Sequence, residues 1–128
     1  MTVIRQEDLI ESIADALQFI SYYHPLDFIR AMRGAWEKEE SPSAKAALTQ
    51  VLVNSRMCAI GKRPICQDTG IVNVFISVGM DVSWEADMSL EDMINEGVRR
   101  GYTHPENVLR GSVLEDPDGA RANTKDNT

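Results

Sequence analysis

The eight residues Ile65-Cys66-Gln67-Asp68-Thr69-Gly70-Ile71-Val72 set a thiol, an amide and a carboxylate side by side. As a thiolate, Cys66 is a soft ligand for iron or zinc. Asp68 can take up or release a proton, or share one with a second carboxylate. Farther along, Arg110-Gly111-Ser112 supplies a guanidinium followed by yielding backbone, suited to gripping a carboxylate through two parallel hydrogen bonds. Each residue also has a plainer reading. Asp68-Thr69-Gly70 is sound turn chemistry, the aspartate accepting backbone hydrogen bonds and the glycine taking positive φ. A solitary cysteine is commonly a small buried apolar residue, and Arg110 is suited to a surface ion pair.

Spacing narrows the choice. There is no CxxC pair, and Cys58 lies eight positions before Cys66, flanked by Met57 and close to Ile60, where it reads as packing. One sulfur at ligand spacing does not complete a zinc or iron–sulfur site within this chain. The Asp-Thr-Gly triplet also occurs in aspartic proteases, where two copies bring two carboxylates together. There it leaves a hydrophobic strand of a β-rich fold, whereas here helical sequence and the polar Gln67 precede it. Yet a thiol, amide and carboxylate in a row give a polar density that a simple packing loop does not require.

The elements that must position these residues are readable from periodicity. In residues 6–23, Leu9, Ile10, Ile13, Leu17 and Ile20 share one helical face. His24-Pro25 ends that helix, and Pro25 suits the start of the next, whose stripe is Leu26, Phe28, Ile29, Met32 and Trp36. Ser41-Pro42 caps a third helix with Leu48, Val51, Leu52, Ser55 and Ala59 on one face, stopped at Gly61. Ile71 to Val78 is rich in β-branched residues and predicts a buried strand. Ser89-Leu90-Glu91-Asp92 then predicts a capped helix running through Met93, Ile94 and Val98 towards Gly101. After Tyr102 the chain is poor in large aliphatics. It is expected to be a polar segment that contributes a second strand at most.

These elements predict one α+β domain: helical 1–61, a site loop 62–70, a strand–helix region 71–102 and a polar segment 103–128. A single strand lacks partners for its backbone groups, so these are expected from residues 103–128 or from the missing part of a larger α/β catalytic domain. The 128 residues carry a net charge of −7 and a pI near 4.7, which disfavours nucleic acid and anionic membrane as partners. No run approaches the roughly eighteen apolar residues of a membrane span. Two cysteines and no secretory signal pattern predict cytoplasmic residence with reduced thiols.

Taken together, KRPICQDTGIVNVFISVG, VLRGSV and ANTKDNT resemble the amino-terminal region of class I, iron–sulfur fumarate hydratases. They are also similar to the alpha subunit of L-tartrate dehydratase. The resemblance is most specific from Lys62 to Gly79. It implies a hydro-lyase interconverting L-malate and fumarate through a [4Fe–4S] cluster held by three cysteines, one iron being open to substrate. By position, Cys66 matches the first cluster cysteine. Gln67 and Asp68 match substrate contacts, Asp68 also a proton-transfer residue, and Arg110 matches an arginine that holds a substrate carboxylate. Asn123-Thr124 with Asp126-Asn127-Thr128 resembles a segment near the active site. The resemblance implies a small dicarboxylate substrate, the other two cysteines from the rest of the enzyme or a partner subunit, and a homo-oligomer when complete. The isolated chain is then expected to be inactive and to hold no cluster. A tartrate dehydratase alpha-type subunit and a non-catalytic helical interaction module are the alternatives.

Overall fold

The computed structural model describes residues 1–111, 113–115 and 122–128. In chain order it contains β1 (Thr2–Arg5), α1 (Gln6–Tyr22), α2 (Leu26–Lys38), α3 (Pro42–Gly61), β2 (Val82–Glu85) and α4 (Leu90–Thr103). The fold is mixed α+β and rich in helix. It divides into two compact units: Met1–Gln18 with Asp68–Thr128, and Phe19–Gln67. The loop read from sequence as one stretch, 62–70, is thus shared, with Gln67 in the helical unit and Asp68 in the mixed one.

In the mixed unit β1 and β2 pair in parallel, Thr2 opposite Val82 and Arg5 opposite Glu85. Neither strand is legible as one: each has only four residues, too few for alternation to stand out. The core is built by α1 and α4 around Ile10 and Met93, both fully buried, with Leu17, Val98, Tyr102 and Leu109 beside them. Burial of one such side chain contributes about 1.5–3 kcal/mol. The two helices approach very closely at glycines. A Cβ on Gly97 would lie 2.7 Å from the Ile13 Cβ and 2.9 Å from the Ile10 carbonyl oxygen. One on Gly101 would lie 3.1 Å from Leu17 Cδ1. The α4 cap is the one the sequence predicts, the Ser89 hydroxyl accepting from the Asp92 N–H at 3.1 Å. Asn107 fixes the turn after α4: its amide nitrogen donates to the Tyr102 and Leu109 carbonyls at 2.8 Å. Its oxygen accepts from Gln18 Nε2 at 3.0 Å and the Leu109 N–H at 2.9 Å.

The predicted strand Ile71–Val78 is not one: residues 71–79 carry no regular secondary structure. Phe75 is 94% exposed, and Ile71, Val74, Ile76 and Val78 are exposed too. A β-branched composition expresses a fit to a packed, paired surface more than a backbone preference. Among the described residues nothing pairs with this stretch, so the composition finds no sheet to join. Among the described residues of the polar segment, Leu114 and Asn123 form an antiparallel bridge. The Thr124 N–H donates to Val113 O at 2.8 Å, and the Glu115 N–H to Ala122 O at 3.3 Å.

In the helical unit α2 and α3 form a hairpin, joined at Trp36, whose Nε1–H donates to Thr49 Oγ1 at 2.9 Å. Lys45 Nζ lies 4.5 Å from the centroid of the same ring. The stripe predicted for α2 is only half covered, and no α2 residue is buried. Ser41 precedes α3 and Pro42 begins it, but the left-handed residue at its end is Lys62, at φ 46°, one position beyond Gly61.

Candidate active-site residues

The helical unit positions Cys66 and Gln67 by tying down Arg63, Pro64 and Ile65 before them. Beyond α3 the Arg63 N–H donates to Cys58 O at 3.1 Å, and the Ile65 N–H to Ser21 O at 2.9 Å. Asn54 Nδ2 donates to Ile65 O at 3.0 Å. Cys58, as its apolar neighbours imply, is structural: buried, with its thiol 3.4 Å from the Pro64 carbonyl oxygen. Cys66 is the opposite case, exposed and free of any disulfide, its thiol donating to Gln67 Oε1 at 3.3 Å. The Cys66 thiol is therefore open to solvent.

In the mixed unit Asp68-Thr69-Gly70 is the turn that its chemistry predicts. Asp68 Oδ1 accepts from the Gly70 N–H at 3.0 Å, and Gly70 takes φ +74°, open to glycine at no steric cost. Thr69, which no spacing argument singles out, proves central. Its hydroxyl donates to the Arg110 carbonyl and accepts from the Arg110 N–H, the latter at 3.0 Å. The Tyr102 hydroxyl donates to the Thr69 carbonyl at 3.3 Å, and burial pushes that phenol above its ordinary pKa. Arg110 is therefore held from both sides, by Thr69 at its own backbone and by the Asn107-fixed turn that buries Leu109 next door. The one signal in the sequence is a hydroxyl between a turn aspartate and its glycine, where Asp68 and Gly70 alone already account for the turn.

The 122–128 segment lies against Arg110-Gly111. Asn123 Nδ2 donates to Gly111 O at 2.6 Å, and a Cβ on Gly111 would meet the Thr124 carbonyl at 2.7 Å. Asn127, buried and at φ +64°, accepts from the Val113 N–H at 3.3 Å. Asp126 turns outward to Arg99 at 3.2 Å and accepts from the Thr128 N–H at 3.2 Å. Between the two strings of residues lies a cavity of about 570 Å³, lined by Leu109, Arg110, Gly111, Asn123, Thr124 and Lys125. The structure thus brings Asp68, Arg110, Asn123 and Thr124, all singled out in the sequence, into one compact unit. Among the described residues no three His, Cys, Asp or Glu side chains converge as a metal site. No helix among them is long and apolar enough to cross a membrane.

The family model for fumarate hydratase (Fumerase) matches residues 10–128, nearly the whole chain. The chain therefore belongs to the fumarate hydratase family, a family of hydro-lyases. A curated relative, "Putative L(+)-tartrate dehydratase subunit alpha" of Methanocaldococcus jannaschii, is 28% identical over 88 residues, 69% of this chain. The matched part is 31% of that relative, so the chain spans about a third of its length.

Proposed function

We propose that this chain supplies one cluster ligand and one wall of the substrate site of a [4Fe–4S]-dependent hydro-lyase interconverting L-malate and fumarate. The observation that carries this reading is the two-way hydrogen bond between Thr69 and the Arg110 backbone, in a chain of the fumarate hydratase family. It couples a proton-transfer candidate, Asp68, to a carboxylate-binding candidate, Arg110, through one hydroxyl. The residues fit the cofactor in part: Cys66 is an exposed thiol suited to be one of three thiolate ligands, while the buried Cys58 is not. The other two thiolates come from the remainder of the enzyme or a partner subunit. When bound, the cluster supplies a Lewis-acidic iron to the departing hydroxyl.

This chain's own residues do the remaining work. Arg110 holds a substrate carboxylate with its planar fork, and Gln67 orients the substrate through its amide. Asp68 takes the proton from the carbon adjacent to the hydroxyl-bearing carbon during dehydration, the C–H electron pair becoming the double bond, and returns it during hydration. Its turn helps, because the Gly70 N–H occupies Oδ1 and fixes the plane of the carboxylate.

The test uses the complete enzyme, with the remaining two cysteines present. Asp68→Asn is expected to lower kcat by about 10²–10⁴-fold, the usual contribution of a general acid–base group. Cys66→Ser is expected to remove the cluster absorbance together with activity. Near-normal turnover in both variants overturns the reading and favours a non-catalytic helical module. The similarity to the tartrate dehydratase subunit supports a second reading, in which the substrate is L-tartrate and this chain is an alpha-type subunit. Assaying fumarate hydration beside L-tartrate dehydration separates the two.

A further inference from the structure

The cavity beside Arg110 has a second cation in its wall, Lys125, to which the family match assigns no role. Among the described residues neither Arg110 nor Lys125 makes an ion pair. The nearest carboxylate in sequence, Asp126, is engaged with Arg99 at 3.2 Å and does not neutralise Lys125. Two cations without ion-pair partners at one cavity stand out in a chain of net charge −7, whose overall field repels anions.

We propose that Lys125 is a specificity-determining residue that takes the second carboxylate of a small dicarboxylate whose first is gripped by Arg110. This deepens the functional reading above and rests on its assignment of Arg110. The division of labour follows from the chemistry of the two side chains. Arg110 has a fixed planar fork and a backbone locked by Thr69, so it sets the position of one carboxylate. Lys125 is a mobile point charge, able to follow the other end of a four-carbon chain. A cavity of about 570 Å³ leaves room for such a diacid with water around it. Gly111 lets the Thr124 backbone lie close to Arg110, since a Cβ there would meet the Thr124 carbonyl at 2.7 Å.

The test reads binding and requires no turnover. The chain is titrated with succinate, acetate and sulfate while the backbone amides of Gly111, Thr124 and Lys125 are followed by NMR. Succinate is expected to shift these resonances at lower concentration than acetate or sulfate. Lys125→Gln is expected to weaken succinate about tenfold, the factor of one charge-assisted contact, and to leave acetate unchanged. Arg110→Gln should weaken both. Lys125 is exposed, so its replacement leaves the fold intact, which the unshifted remainder of the spectrum verifies. Succinate binding that survives Lys125→Gln unchanged overturns the proposal while leaving the hydro-lyase reading standing. Equal affinity for all three anions, or no shift at these amides, overturns it as well. Loss of turnover in Asp68→Asn without any Lys125 effect likewise separates the two claims.

Discussion

Helices α1 and α4 meet backbone to backbone, whereas α2 and α3 meet through the ends of their side chains. The first pair has Gly97 and Gly101 at its contact, and two fully buried side chains, Ile10 and Met93, beside it. The second pair has a glycine too, Gly34, but nothing lies within 4 Å of where its side chain would be. Instead it relies on Trp36, hydrogen-bonded to Thr49 and covered by Lys45. The lesson is that one residue type does opposite things in two helix pairs of similar sequence character. In α4 glycine lets two backbones approach. In α2 it only adds freedom that folding must remove. The candidate site draws on the tighter arrangement: Arg110 follows the turn that leaves α4, at the place where Leu109 enters the core.

Substitutions sharpen this contrast. Gly97→Ala has the largest expected effect, a loss of about 2–3 kcal/mol, because the new methyl would overlap both Ile13 and the Ile10 carbonyl. Chemical denaturation of the purified chain measures it, and a loss below ~0.5 kcal/mol would show that the helices simply slide apart. Gly34→Ala should move stability the other way, by roughly 0.5–1 kcal/mol, since alanine restricts the unfolded chain and meets nothing in α2. A destabilised Gly34→Ala would mean that this face of α2 is covered after all. The smallest effect is a response to acid. Hydrogen bonds from Arg100 and then Arg99 hold Glu96 on α4 below its ordinary pKa. A carboxylate whose folded pKa is depressed stabilises the fold above its unfolded pKa and loses that contribution as pH falls through the folded value. Glu96→Gln should therefore flatten the decline in melting temperature below about pH 4.5, the normal onset for glutamate. The pairs are part-exposed, so the difference should be a few tenths of a kcal/mol.

Legibility followed how local the deciding interaction is. The Ser41-Pro42 start of α3 and the Ser89 cap of α4 depend on neighbours a few residues away, and both are found where the sequence sets them. The Asp68–Gly70 turn is equally local, and its hydrogen bond and positive φ are present. The stretch 71–78 failed because a strand needs a partner, and composition says nothing about whether one is supplied. The β1–β2 pair escaped for the converse reason, since residues 2–5 and 82–85 become strands only through each other. Thr69 belongs to the same category: its role depends on Arg110, 41 positions away. Within the site, the residue types were therefore readable and the hydroxyl that holds one of them in place was not.

Asn107 can be considered as a problem of spelling. Its side-chain amide makes four hydrogen bonds, two given and two received, to groups contributed by α1, α4 and the turn beyond. Aspartate offers the same shape but no donors. Glutamine has the donors but one methylene too many, and leucine has neither donor nor acceptor. Of the twenty letters only one satisfies every partner, and the position of Arg110, three residues on, depends on it.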